Sequence, residues 1–178
     1  MHSAGPFIIR YTDNDAREIA SQVAQNLYQY LKADSDIIEM SDYQTSDSAS
    51  TAISSGSVIT VATGPRLNSS SQEFPIDVSD QGISLTKADG RSILVPLYES
   101  PSAIYLRPLD ESRTELVIWG AQKDSAAAAA RLVPILPGVG QPDFVVLSKS
   151  CRWKGVAGVY ALGFFDSQWR ISETSFIL

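Results

Sequence analysis

The stretch Ser57-Val-Ile-Thr-Val-Ala62, followed by Thr63-Gly64-Pro65, determines the fold class that this sequence predicts. It is a continuous run of β-branched and apolar residues that ends in turn-forming residues. Such a run is typical of a strand buried on both faces, as in a parallel sheet that other elements cover. We therefore expect this segment to form a central strand of a larger sheet.

Upstream of this segment, a strand pattern is followed by a helix pattern. Phe7–Tyr11 predicts a strand, and the apolar residues of 16–31 recur at three- and four-residue steps, which indicates an amphipathic helix. The intervening Thr12-Asp13-Asn14-Asp15 supplies residue types that cap helix N-termini. A strand and then a capped helix is the start of a βαβ unit.

The same alternation returns downstream. Thr114–Trp119 and Asp143–Leu147 predict strands, and the alanine run 126–130 between them has high helix propensity. We expect Asp124 to cap that helix. Alternating strands and helices predict a three-layer α/β sandwich with a mainly parallel sheet, of the Rossmann or flavodoxin-like kind.

Residues 66–108 differ in character, because prolines and glycines break them into short pieces. Ile83–Leu85 and Ser92–Val95 flank Asp89-Gly90, which predicts a β-hairpin. We interpret 66–108 as an antiparallel insertion within a single α/β domain that spans residues 1–178. The aromatic and glycine-rich tail is expected to fold back on the edge of the sheet.

Composition excludes several function classes. The 178 residues carry 14 basic and 20 acidic side chains, a net charge of -6, and no basic stripe. A nucleic-acid partner is therefore not expected, since the phosphate backbone is bound by clustered Lys and Arg. The longest apolar runs fall short of the roughly 20 residues of a membrane span, so no membrane partner is expected either.

The single cysteine and the single histidine exclude further kinds of site. Cys151 alone can form neither an intrachain disulfide nor a cysteine-cluster metal site. His2 lies at the end of the chain, so no ordered imidazole is expected for a triad or a zinc site. The G-x-S-x-G, G-x-x-x-x-G-K-[ST] and G-x-G-x-x-G motifs are missing. These counts exclude a self-contained triad enzyme and leave a carboxylate-only or cofactor-dependent enzyme open. We expect no metal and no cofactor.

Polar residues at the predicted strand ends are candidates for a ligand site, because open α/β sheets bind ligands at the carboxyl ends of their strands. Small residues, cations and a helix N-terminus could together hold an anion. The favoured alternative is that the glycines form turns, the aspartates cap the helix and the charges are solvated. The candidate residues are Asp13, Asn14, Thr63, Gly64, Arg66, Gly120, Gln122 and Lys123.

Two further features have candidate roles. Asn68-Ser69-Ser70 fits the N-glycosylation pattern. The tail aromatics could form a sugar-stacking platform, but a role in the core or in an interface with another domain is favoured. These aromatic residues are Trp153, Phe164, Phe165 and Trp169.

The tail also carries a resemblance. Pro142–Val146, Trp153–Val159 and Ala161–Trp169 resemble the closing segment of large secreted fungal and bacterial hydrolases of the prolyl-oligopeptidase-like α/β-hydrolase group. Pieces at 5–9, 58–65 and 116–120 fit the same pattern. This chain departs from it at Trp119-Gly120-Ala121-Gln122, where such proteins tend to have Gly-Thr. A ligand that relatives bind in this crevice would therefore meet different residues here.

In that family, the matching region is similar to a C-terminal accessory domain, and the catalytic triad lies in a separate hydrolase domain. The resemblance implies an extracellular, non-catalytic accessory or interaction domain of a secreted serine hydrolase, of peptidase or esterase type. Its partner would be the catalytic domain of the same polypeptide. It also implies that this chain, which shows no signal-peptide pattern, is a piece of a larger secreted protein. The alternatives are an independent small-ligand-binding domain that uses the strand-end crevice, and a small stand-alone enzyme that uses Asp13 or another carboxylate.

Overall fold

The computed structural model describes residues 7–45, 57–65, 67, 74–110, 113–134 and 141–178. The strands in these residues are β1 (Phe7–Tyr11), β2 (Ser35–Glu39), β3 (Val58–Thr63), β4 (Ile76–Ser79), β5 (Gly82–Thr86), β6 (Ser92–Pro96), β7 (Ser102–Pro108), β8 (Thr114–Gly120), β9 (Phe144–Leu147), β10 (Val159–Gly163) and β11 (Phe176–Ile177). The helices are α1 (Asn14–Leu31), α2 (Met40–Thr45), α3 (Lys123–Ala130) and α4 (Cys151–Lys154), with short 3-10 helices at Leu97–Glu99 and Gly155–Gly158.

The larger sheet contains strands in the order β11-β10-β9-β7-β8-β3-β1-β2. The segment expected to be central, β3, lies between β1 and β8 and pairs with both in parallel. β1 also pairs in parallel with β2, whereas every pairing from β8 outward to β11 is antiparallel. The predicted α/β class is confirmed, and the sheet is mixed, with one parallel half and one antiparallel half.

Helices α1 and α3 pack beside each other on one face of this sheet. Ile19, Val23 and Leu27 form the buried stripe of α1, as their spacing predicts. Ala126 and Ala129 of α3 are fully buried, and their small side chains let that helix lie close to the strands beneath it. The two helices thus form one layer with a shared apolar core.

The opposite face is covered by a second, antiparallel sheet in the order β4-β5-β6. Ile83 and Leu85 of this small sheet join Tyr105, Trp119 and Phe144 of the larger sheet in one apolar cluster. In the described residues, the third layer is therefore a β-sheet rather than the second helix layer of a doubly wound sandwich. Alternating side chains suit β5 to this role, because every second residue faces the core.

The predicted hairpin at Asp89-Gly90 is confirmed, since β5 and β6 pair in antiparallel fashion and Gly90 has the positive φ of 82° that such a turn requires.

The separate sheet is shorter than the 66–108 insertion that the sequence predicts. β7 leaves it and enters the larger sheet between β8 and β9. Because Ser102 to Tyr105 are all buried, β7 suits an interior position covered on both faces.

The cap of α3 differs from the prediction. Asp124 lies inside the helix, and Gln122 is the N-cap residue. The backbone N–H of Gln122 donates to the hydroxyl of Ser125 at 3.0 Å, and that hydroxyl donates to the Gln122 carbonyl at 2.8 Å. A capping box therefore satisfies this terminus, and Asp124 is not needed there.

The tail folds back on the sheet edge, as predicted. β10 pairs with β9, and β11 pairs with β10 at the border of the larger sheet. No helix in the described ranges combines the length and apolar character that crossing a membrane requires.

Candidate functional site

The carboxyl ends of β1, β3 and β8 are neighbours, so the structure brings the predicted strand-end residues together. The Thr63 hydroxyl lies 2.9 Å and 2.8 Å from the two carboxylate oxygens of Asp13. The backbone N–H of Gly64 donates to the Gly120 carbonyl at 3.1 Å. Residues 50 or more positions apart in the sequence thus form one cluster at this edge of the sheet.

The Asp13 carboxylate serves helix capping. It accepts the backbone N–H of Ala16 at 2.9 Å and the hydroxyl of Thr12 at 2.7 Å, in addition to that of Thr63. Burial raises the pKa of Asp13, but these hydrogen bonds to the charged form outweigh burial and the pKa lies below its ordinary value. A carboxylate held in the ionised form in this way is a poor proton acceptor. The capping interpretation of Asp13 is confirmed.

Gly120 serves packing at the end of β8. A Cβ atom at this position would overlap the backbone nitrogen of Ala126, so only glycine lets α3 approach the strand end so closely. Beside it, the fully buried indole of Trp119 donates its Nε1–H to the Gly64 carbonyl at 2.9 Å. The two glycines therefore connect β3, β8 and α3.

The cation expected at this edge is engaged elsewhere. Lys123 Nζ lies 2.7 Å from a carboxylate oxygen of Glu18 and 3.4 Å from one of Asp15, and these contacts link α3 to α1. Its hydrogen bond to Glu18 is the main reason why the pKa of Lys123 is raised. Asn14 is exposed at the start of α1. The predicted residues Arg66 and Asn68 lie outside the described residues.

A groove lies away from these strand ends. It has a volume of about 210 Å³ and runs between the free edge of the small sheet and the tail. Leu94, Glu99, Tyr160 and Leu178 are among the residues that line it. The Tyr160 hydroxyl donates to the Glu99 carboxylate at 2.7 Å, and burial together with this contact raises the pKa of Tyr160 to about 12. None of the predicted ligand-binding residues lines this groove.

The four tail aromatics divide into two pairs. Phe165 packs against Phe74 and Phe144 with ring centroids 5.3 Å and 5.2 Å apart, and Trp169 lies 5.7 Å from Phe165. Phe165 is partly buried and packs against the core, and Trp169 is partly buried beside it. Trp153 is 79% exposed and Phe164 is 45% exposed, so this second pair is the one available for an interface.

A buried ion network is the feature that the sequence analysis missed. Glu115 is 1% exposed and accepts from Arg10 Nη2 at 2.6 Å, from Arg107 Nε and from the hydroxyl of Thr60. Burial raises the pKa of Glu115, but the two guanidinium groups and the Thr60 hydroxyl lower it more, so it lies below its ordinary value. The sequence does carry a sign of this network, which is a single charged residue within an apolar strand pattern, such as Arg10 in Phe7–Tyr11.

In the part of the chain that the structure describes, no group of three or more His, Cys, Asp or Glu side chains is arranged to hold a metal ion. Cys151 is partly exposed, and its thiol donates to the Gly155 carbonyl at 3.2 Å. Of the described strand-end residues, Asp13 caps α1, Gly120 allows α3 to pack closely, and Lys123 links α3 to α1. The described residues form a mixed α/β fold in which these three residues have structural contacts.

Comparison with known proteins adds one relative. No family model matches the chain. It is 36% identical over 178 residues to an uncharacterized secreted protein of the fungus Arthroderma benhamiae, an alignment that covers 99% of this chain and 19% of the relative. The chain therefore spans about a fifth of the length of the curated relative it matches. That relative is secreted, which confirms the extracellular location that the resemblance implied.

Proposed function

We propose that this chain is a non-catalytic accessory domain of a larger secreted serine hydrolase, of peptidase or esterase type, and packs on the catalytic domain of the same polypeptide. The observation that carries the proposal is the alignment: nearly the whole chain matches about a fifth of a secreted protein. The matched region has the size of one domain, and the relative is long enough to contain several domains.

The structural contacts of the candidate residues support the non-catalytic role. Asp13, the carboxylate best placed for chemistry, is engaged by the Ala16 N–H and two threonine hydroxyls. Lys123 is paired with Glu18. The engagement of both groups in structural contacts favours an accessory role over a stand-alone enzyme that uses Asp13.

The assignment to serine hydrolases rests on the sequence resemblance of the tail and of the strand segments.

A flavodoxin-like fold for part of the sheet is a further proposal. In the parallel half of the sheet, the order β2-β1-β3-β8 matches the beginning of the flavodoxin-like order 2-1-3-4-5. We propose that this half is a flavodoxin-like unit, to which β7, β9, β10, β11 and the small sheet are added.

The test uses a fluorophosphonate probe, which forms a covalent bond with activated serines. We expect the polypeptide translated from the full transcript to be labelled and this 178-residue chain to remain unlabelled at the same concentration. Heat-denatured polypeptide is the control for nonspecific labelling. Labelling of this chain alone would overturn the non-catalytic assignment. A transcript that encodes these 178 residues and no further domain would overturn the accessory assignment.

A second candidate is an independent domain that binds a small anion at the strand ends. The strand order favours it, because β1 and β3 flank the point where that order reverses and ligands bind α/β sheets there. Thermal unfolding with inorganic phosphate tests it. A rise in Tm that a Lys123→Ala variant abolishes would support binding. We expect no rise, because Lys123 is paired with Glu18.

A further inference from the structure

The segment between β9 and β10 forms a protruding surface that we call the basic knob, made of Lys149, Arg152, Trp153, Lys154 and Val156. All five residues are exposed. Trp153 and Val156 are each 79% exposed, although both are apolar residues of a kind that folding normally buries. The Arg152 guanidinium carbon lies 5.3 Å from the centroid of the Trp153 ring. The knob thus presents an indole ring and a cation together.

Its charge is opposite to that of the chain. Residues 144–165 contain three basic residues and no acidic one, whereas the whole chain has a net charge of -6. The three cations all belong to the knob. A local positive surface on an acidic protein is complementary to an acidic surface.

The knob is fixed to the sheet. The Ser148 N–H donates to the Gly158 carbonyl at 2.9 Å and closes its base, and the Lys154 N–H donates to Ser150 at 2.9 Å within it. Gly158 packs so closely on Cys151 that a Cβ atom would overlap the Cys151 backbone. Because the backbone is already ordered, docking would cost little conformational entropy.

The knob lies at the same edge of the sheet as the strand-end cluster. Leu147, just before the knob, pairs with Ser102, Ser102 pairs with Gly120, and Gly120 pairs with Thr63. These are three steps of about 4.8 Å each, or about 14 Å across the sheet. This edge therefore carries the exposed Trp153 ring with the Arg152 guanidinium beside it.

We propose that the basic knob is the docking surface of this domain, and that Trp153 inserts into an acidic pocket with apolar walls on the remaining part of the same secreted polypeptide. The inference rests on the proposed function and names its interface. Trp and Arg are the residue types most enriched among the energetic centres of interfaces. An anionic membrane is disfavoured as the partner because the net charge of -6 opposes it and Trp153 is the only tryptophan in the knob.

Hydroxyl-radical footprinting of the full secreted polypeptide tests this, with the 178-residue chain as the reference. Tyr98 is the internal control, because it is 83% exposed on a different segment. We expect Trp153 to be protected in the full polypeptide and Tyr98 to remain reactive. In an Arg152→Glu variant, Trp153 should become reactive again at physiological salt. Trp153→Ala should weaken docking about 30-fold or more, as truncation of a central tryptophan does in other interfaces.

The outcomes separate the two proposals. Protection of Trp153 that Arg152→Glu relieves supports the knob. If Trp153 stays reactive while the groove at Leu94 and Leu178 becomes protected, the knob inference is overturned and the accessory role stands. If no residue of the chain is protected, both are overturned. Protection that requires added phosphatidylserine vesicles identifies a membrane partner and also overturns the proposed knob interface.

Discussion

Replacing Glu115 with glutamine should destabilise the protein strongly. Glu115 is 1% exposed, and its carboxylate is shared by the guanidinium groups of Arg10 and Arg107 and by the Thr60 hydroxyl. Both arginine side chains are only 9% exposed, so neither can regain full hydration when the negative charge is removed. Loss of one partner from a buried ion network costs about 3–5 kcal/mol. That is a large share of the total stability of a domain, about 5–15 kcal/mol.

The same network predicts a pH dependence. The folded-state pKa of Glu115 lies below the ordinary value of 4.5, so folding favours the ionised form. The stabilisation is complete above the ordinary pKa and is lost as the pH falls through the lower folded-state value. The difference in unfolding free energy between wild type and Glu115→Gln should therefore be constant near neutral pH and shrink in acid.

Urea denaturation at pH 7 and at acidic pH measures both effects. At 2–4 °C per kcal/mol for a protein of this size, the expected loss corresponds to a fall in Tm of about 6–20 °C. Glu173→Gln is the matched control, because Glu173 is exposed and its replacement should change the stability by less than about 0.5 kcal/mol. A loss below about 1 kcal/mol for Glu115→Gln would refute the reasoning, since buried networks of this kind cost more when one charge is removed.

Three further substitutions test the strand-end contacts by chemical denaturation. Trp119→Phe should cost about 2 kcal/mol, because it removes the hydrogen bond to the Gly64 carbonyl and leaves a cavity. Gly120→Ala should cost about 3 kcal/mol, because the added methyl group overlaps the Ala126 backbone. Asp13→Ala should cost about 1–2 kcal/mol through loss of the α1 cap.

Each of these variants has a matched control. Trp153→Phe removes an exposed indole and should leave stability unchanged. Gly90→Ala places a methyl group in open space, so its cost of about 1 kcal/mol comes from the positive φ alone. Asp15→Ala alters a carboxylate that is 60% exposed and should change the stability by less than about 0.5 kcal/mol. Equal costs for any variant and its control would contradict the contact assigned to that variant.

Local chemistry predicted the elements that depend on it. The β-branched run 57–62 forms most of β3, the segment with helical periodicity forms α1, and Asp13 caps that helix. The hairpin turn at Asp89-Gly90 also followed from residue type. In each case, the deciding interactions lie within a few positions along the chain, where patterns carry the information.

The features that sequence reasoning missed depend on pairings between distant segments. The sequence of β7 is compatible with a strand of the antiparallel insertion. Its pairing with β8 and β9 is what places it in the larger sheet. The network around Glu115 joins residues up to 105 positions apart. The tail aromatics look alike in sequence, and only packing against Phe74 separates the partly buried Phe165 from the exposed Trp153.

The central claim, a non-catalytic domain within a larger hydrolase, is tested most directly by turnover. The 178-residue chain and the full secreted polypeptide would be assayed with p-nitrophenyl esters and aminoacyl-proline anilides, with Cys151→Ala and Asp13→Ala variants of the chain alongside. We predict turnover by the full polypeptide and none by the chain alone. Turnover by the chain that either substitution abolishes would contradict the claim and identify a stand-alone enzyme.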